Sequence, residues 1–474
     1  MVYLVNLDKR DIITVLIIVV LMLIPRLIVA PYTSGSDIPQ FAGFADTFLR
    51  HGLCFYKFAD TKHSSTENWP YSWPYVYGPG LVLFLAPLRL LASSPIIHYW
   101  DQQVYYVYVS MDWIIASKSL FILFDVLSTI MIYVIIRGLG YKWKSSAILA
   151  SLYAFNPMTI YISSIYGMFD QIPLFFFLVG IYLLYVRSGD KSWRKILGAF
   201  SSGLSIGFKH TFLFSAALIF YDLIMRRDKR FRKTLFVSSL VIGALVLFIP
   251  FELACFSSIE MFINNALSSS EPGYTYPVCY SFNGLSSLAT YINEHTGKNM
   301  MFLIEYWWLP AITLLAMILI AYLGYRDPIV YSSLAYIVFT TTYWRVNHQY
   351  LVPAIAFSII LFAKLRGYTR CRFLAILYIF LIGLWPIMFP TSWWAHVHIR
   401  EPNMDIWNLL DRFSLMVFDE ESYLLYSLVL TITGYIFVFE VVSAGLSRIH
   451  YRVVAEKIIG TTKKLLRIFP RISK

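Results

Sequence analysis

Charge is scarce along this chain. Only 14% of its residues are Asp, Glu, Lys or Arg, against 58% hydrophobic ones and a mean hydropathy of +0.63. No soluble globular protein needs apolar content of that kind from end to end. Cysteine is equally sparse. Cys54, Cys255, Cys279 and Cys371 lie far apart with no CxxC or Cys/His spacing, which excludes a zinc module and a dense disulfide framework. Cys54 and Cys279 fall in loops on one side of the arrangement derived below and read either as a pair or as two free thiols. Nucleotide-binding motifs are missing too: there is no GxxxxGK[ST], no GxGxxG between a strand and a helix, and no loop long enough for such a fold. A bound nucleotide is therefore not expected. His396 and His398 lack a third and fourth ligand at zinc spacing, so neither metal nor cofactor is expected.

What the chain has instead is apolar runs of bilayer length. Candidate spans at 11–30, 112–136, 145–165, 171–187, 196–210, 211–225, 234–253, 301–324, 329–342, 349–363, 373–389 and 421–444 predict an all-α polytopic membrane protein with about 12 transmembrane helices. The first run is followed by no small-residue cleavage site and reads as retained. Residues 1–445 form the expected transmembrane domain, and 446–474 a basic amphipathic cytoplasmic tail, lying on an anionic leaflet or simply solvated.

Sidedness follows from the cations. Alternate loops and the tail hold 28 of the 39 Lys and Arg residues, including RRDKRFRK at 226–233, which puts both termini in the cytoplasm and argues against nucleic acid as the partner. That bias also makes 79–97 a helix on the outer face, not a span, within a first external loop covering 31–111.

Polar residues then gather at the external ends of spans. In SGSDIPQFAGFADTFLRHG, Phe41, Phe44, Ala45, Phe48 and Leu49 follow helical periodicity, with Ser36 or Asp37 at the start and Gly52 past the end. This predicts an amphipathic interfacial helix whose first carboxylate, Asp37, is either a cap or a functional acid. The other segments are YVYGPG, SSIYGMFDQ, FKH, SFNGL, YWRVNHQY and WWAHVHIREP. Lys209 and Arg345 need anions: Asp170 or Glu252 in a structural reading, a phosphate in a functional one. His396 and His398 read as interfacial histidines or as groups sharing that phosphate's charge. Asp170, Asn283, Asn347 and Gln349 are candidate hydroxyl or phosphate ligands. Trp69, Trp73, Tyr75 and Tyr77 are candidate sugar-stacking rings or belt aromatics. Lys118 and Asp125, two turns apart on one helix face, read as a structural network.

Taken in order, these pieces resemble the GT-C class of polytopic glycosyltransferases. The similarity runs over residues 34–353, through SDIPQFAGFADTFLRHGLCFY, YGPGLVLFLAPL, KSLFILFDVLSTIMIYVIIRG, NPMTIYISSIYGMFDQ, FKHTFLFSAALI and WRVNHQYLVP. It is greatest to the mannosyltransferases that use polyprenyl-phosphate mannose, particularly the catalytic subunit for the first mannose of GPI-anchor assembly. HVHIRE also resembles the HVHE segment of glucosyltransferases that extend lipid-linked oligosaccharides. The resemblance implies a polyprenyl (dolichyl) phosphate donor, an inverting hexose transfer to a lipid-linked or glycan acceptor, Asp37 as general base, and a small partner subunit of the kind some relatives need. The chain departs from the pattern where SGSD replaces a paired-Asp motif, and it lacks both the Asp-Glu pair of protein O-mannosyltransferases and the WWDYG signature of oligosaccharyltransferases. The alternatives are a lipid-linked-sugar transporter or flippase, for which no inverted repeat is visible, and a glycan ligase or polymerase. The compact loops suggest a prokaryotic, archaeal-type cell membrane, with the endoplasmic reticulum as the alternative.

Overall fold

Helix α1 (Lys9–Val29) opens on a capping box, in which Asp8 and Asp11 each accept the other's backbone N–H at 2.9 and 3.0 Å. Along its length Ile12, Leu16, Val20, Ile24 and Leu27 are each about half exposed. A helix apolar on its outward faces needs lipid around it. Among the described residues five helices are long and apolar enough to cross a bilayer: Lys9–Tyr32, Met111–Gly138, Phe302–Gly324, Thr369–Pro386 and Glu420–Ser447. A sixth follows if Trp143–Ala154 and Pro157–Tyr166, bent by 53° at Asn156, form one broken span. The chain is accordingly an integral membrane protein. The computed structural model describes residues 8–187, 191–226, 228–389, 398–399 and 403–468.

The expected count of twelve is not reached by length. Several expected spans are helices of 17 residues or fewer, such as Ser192–Phe208 and Pro328–Thr342. The apolar stretch 196–225 is divided at Lys209, whose extended backbone (φ −148°, ψ 117°) ends the helix Ser192–Phe208. The helices Pro328–Thr342 and Leu351–Lys364 are buried almost throughout and form the centre of the bundle. The last helix runs without a break from Glu420 to Ile468, so the tail continues it. The side chains of residues 448–474 lie outside the described residues.

Residues 31–111 depart most from the sequence-based expectation. Helix α2 (Asp37–His51) forms within the predicted bounds, with Gly52 at φ +55° closing it. Its apolar face packs on protein, however. Phe41 meets Tyr77, Phe121 and Phe169 edge-on at 5.9–6.2 Å, and Phe44 meets Trp69 and Tyr75 at 4.8 and 5.0 Å. Helix α3 (Pro79–Leu91) is tied to α2 by Arg89, which binds both carboxylate oxygens of Asp46 at 2.7 and 2.8 Å.

One β-hairpin interrupts the otherwise helical architecture. β1 (Ile97–Asp101) and β2 (Val104–Tyr108) pair antiparallel, Tyr99 opposite Tyr106, around Gln102 and Gln103, both at positive φ. The aromatic-rich IHYWDQQVYYVY suits a pleated, half-buried surface. The disulfide joins Cys54 to Cys255, not to Cys279, which is a buried free thiol. It fastens the segment after α2 to the end of the short helix Ile249–Ala254.

Candidate functional site

The segments singled out in the sequence meet. Gly78 N–H donates to Phe208 C=O at 3.1 Å, Gly35 N–H to Tyr166 C=O at 2.8 Å, and Phe282 N–H to Val346 C=O at 2.8 Å. Tyr71 Oη lies 2.6 Å from His398 Nε2. The loops around residues 35 and 166 are thus joined backbone to backbone, as are those around 78 and 208 and those around 282 and 346. The first and last of these pairs meet where His348 packs its ring on Tyr166 at 4.4 Å.

Asp37 sits in the first turn of α2, and its carboxylate does not cap the helix. Oδ2 accepts the Tyr166 hydroxyl at 2.6 Å, and Oδ1 accepts no hydrogen bond among the described residues. The side chain keeps some accessible surface although protein surrounds it. Burial raises its pKa above the ordinary carboxyl value, while Tyr166, Lys209 and Arg345 draw it partly back.

Lys209 is buried and already has an anion. Its Nζ donates to both oxygens of Asp170 at 2.7 and 2.8 Å and lies over the rings of Tyr350, Phe169 and Tyr77 at 4.6, 5.0 and 5.7 Å. Of the two structural partners considered for it, Asp170 is the one used. Glu252 instead accepts the backbone N–H groups of Ser257 and Ile259 at the start of the next helix, 3.0 Å each. Burial pushes Asp170 upward, and the Asp37 charge pushes it further. Arg345 differs: it is exposed, and among the described residues it makes no hydrogen bond or ion pair.

The remaining predicted residues divide by whether their polar atoms are free. Tyr77 is half-buried with a hydroxyl that makes no hydrogen bond among the described residues, although Asp37 and Asp170 both act on it. Gln349 is buried, and its Oε1 has no hydrogen-bond partner among the described residues. Asn347 is half-buried and begins the turn at 348–350.

Asn283 is committed to structure. Its amide donates to the Thr341 and Tyr343 carbonyls at 3.0 Å each and accepts from Leu285 and Ser286 N–H, capping the helix that starts at Gly284. Tyr75 and Trp69 are likewise spent on Gly78 C=O and Thr47 Oγ1. Trp73 is exposed and stacked on Tyr71 at 4.7 Å. His398 is buried; His396 lies outside the described residues.

Lys118 and Asp125 are structural but not partnered with each other. Asp125 holds Arg26 of α1 at 2.7 Å. Lys118 donates into a cage of oxygens: the carbonyls of Ala30, Thr33, Ser164 and Ile165, and Thr33 Oγ1.

Three residues at the site escaped sequence reasoning: Tyr166, His348 and Tyr350. Aromatic residues are everywhere in this chain, so ring identity carried no signal. The clue available for Tyr166 was the glycine after it.

No family model and no curated protein matches the chain. Among solved structures, ArnT from Cupriavidus metallidurans bound to undecaprenyl phosphate is similar at 12% sequence identity and a TM-score of 0.41, covering 91% of this chain and 77% of that chain. At that level the likeness carries no argument, and the functional reading rests on the residues.

Proposed function

We propose that the protein is a GT-C-type glycosyltransferase that moves a single hexose, mannose by resemblance, from a polyprenyl (dolichyl) phosphate donor to a hydroxyl of a lipid-linked or glycan acceptor, with inversion. The observation that carries this reading is one carboxylate oxygen, Asp37 Oδ1, left free beside an unpaired guanidinium, Arg345, and a buried cation–carboxylate pair, Lys209–Asp170.

A sugar hydroxyl is a poor nucleophile. In the proposed step Asp37 Oδ1 takes its proton as the acceptor oxygen bonds to the anomeric carbon. The bond from that carbon to the phosphate oxygen breaks on the opposite face, and the electron pair leaves with the polyprenyl phosphate. Arg345 meets that charge with a two-pronged donor, and Lys209 adds a fixed positive field from behind Asp170. Tyr77, Gln349 and Asn347 are the proposed hydroxyl ligands, and His398, linked to Tyr71, assists at the donor side. The anion brought in by the donor makes Asp37 a stronger base just when a base is needed. No metal or other cofactor enters this proposal.

The Cys54–Cys255 disulfide supports putting this face on the extracytoplasmic side, because such bonds persist in oxidising compartments. The proposed setting is a cell membrane, or the endoplasmic reticulum, with cytoplasmic termini. A small partner subunit belongs to the same proposal.

The test is transfer from dolichyl phosphate mannose by purified protein in detergent, where no membrane potential or second compartment exists. Transfer that survives Asp37→Asn in a normally folded protein removes the assignment. Absence of any transfer, with movement of the sugar-lipid in vesicles, favours the transporter.

A further inference from the structure

We propose that Tyr166 is the positioning residue of Asp37: it fixes Oδ2 so that Oδ1 is the oxygen presented to the acceptor hydroxyl. The inference rests on reading Asp37 as the general base, and goes on to say what holds that base in place.

Tyr166 closes a π-helical segment (Tyr161–Tyr166) that ends at Gly167, in the left-handed region at φ +88°. A helix end leaves its last carbonyls without intrahelical donors. Here each of the last three is claimed by the Asp37 loop or by Lys118. Tyr166 C=O takes Gly35 N–H at 2.8 Å, Ser164 C=O takes the Thr33 hydroxyl at 3.0 Å and Lys118 Nζ at 2.8 Å, and Ile165 C=O takes Lys118 Nζ at 2.9 Å. The same ammonium holds the carbonyls of Ala30 and Thr33 on the loop side. The π segment and the loop before Asp37 are thus clamped as one body.

On that body the Tyr166 ring is held from two sides. A Cβ on Gly35 would come within 2.4 Å of it, and the His348 ring lies 4.4 Å away. Its hydroxyl is consequently fixed at 2.6 Å from Asp37 Oδ2 and 3.0 Å from Ser36 Oγ. The charged groups facing Asp37 are Lys209, Arg345 and Asp170. The phenols of Tyr71, Tyr77, Tyr161 and Tyr350 also feel its charge. Among the described residues, Tyr166 alone hydrogen-bonds its carboxylate.

Tyr166→Phe keeps the packed ring and removes only the hydroxyl. Two measurements follow. The acid limb of kcat against pH should move up by roughly 1–2 pH units, as expected for loss of a hydrogen bond to a charged group, with KM for dolichyl phosphate mannose unchanged. Independently of activity, the pH at which a water-soluble carbodiimide half-labels Asp37, read by peptide mass spectrometry, should rise by the same amount. An unmoved labelling midpoint, or an unmoved acid limb in a variant of otherwise normal activity, overturns the proposal. If instead the labelling midpoint moves while Asp37→Asn still transfers sugar, the contact stands and the general-base reading falls, so the two failures are told apart.

Discussion

Lys209 donates to both carboxylate oxygens of Asp170, at 2.7 and 2.8 Å, and both side chains are buried. A pair of this kind is fragile in one direction only. Removing one partner strands a charge in a low-dielectric interior at a cost of about 3–5 kcal/mol, whereas replacing both costs far less. Lys209→Met should therefore lower the unfolding midpoint in detergent sharply, and Lys209→Met with Asp170→Leu should recover much of the loss. Equal destabilisation by the single and double variants would mean that the pair is not what holds these helix ends.

Arg345 poses the opposite case. It is exposed and makes no ion pair among the described residues, so Arg345→Ala should leave stability unchanged. Its predicted cost appears in KM for the sugar-phosphate donor, which should rise roughly 10- to 100-fold, the worth of a charge-assisted hydrogen bond. An unchanged KM would move the phosphate elsewhere.

Acidity provides a third check. Proton removal needs an ionised Asp37, and burial holds that carboxyl above its ordinary value. Transfer should fall as pH drops through the raised pKa, above the range where an exposed aspartate protonates. Arg345→Ala removes a charge that opposes the effect of burial and should move the limb higher still. A profile that breaks only near the usual aspartate value would show that the titrating group is another one.

The fourth prediction concerns Cys54 and Cys255, bonded across a separation of 201 residues. Losing the bond should cost about 2–5 kcal/mol. Cys54→Ser, Cys255→Ser and the double variant should match one another, since either change breaks the same link. In the native protein a maleimide should find Cys279 and Cys371 only after unfolding, because both are buried. Free labelling of Cys255 under native, non-reducing conditions would contradict the bridge.

The sequence revealed the apolar runs, the bounds of α2 and the set of loops that meet at Asp37, because hydropathy and helical periodicity are local properties. It did not reveal what pairs with what. Asp125 could have served Lys118 on its own helix, yet it binds Arg26 on another, a choice decided by packing at a distance. The hairpin at 97–108 leaves little trace in the sequence, because its alternation is short and its turn uses two glutamines at positive φ in place of glycine or asparagine. Asn283, a candidate ligand by its place in SFNGL, spends its amide on the carbonyls of a neighbouring helix end. Among the described residues five helices, or six with the bent pair, reach bilayer length, because several of the predicted spans form helices of 17 residues or fewer.

Lys118 joins residues 30–33 to residues 164–165, with the helix Met111–Gly138 supplying the ammonium between them. A membrane protein acquires its helices one after another, so during synthesis the segment carrying Asp37 leaves the ribosome long before the carbonyls that will seat it exist. Until the chain past Gly167 has entered the bilayer, that carboxylate has no fixed place. A fragment ending at Gly138 should insert its first helices yet leave the Asp37 loop open to protease, and protection should arrive only with a chain long enough to bring Tyr166.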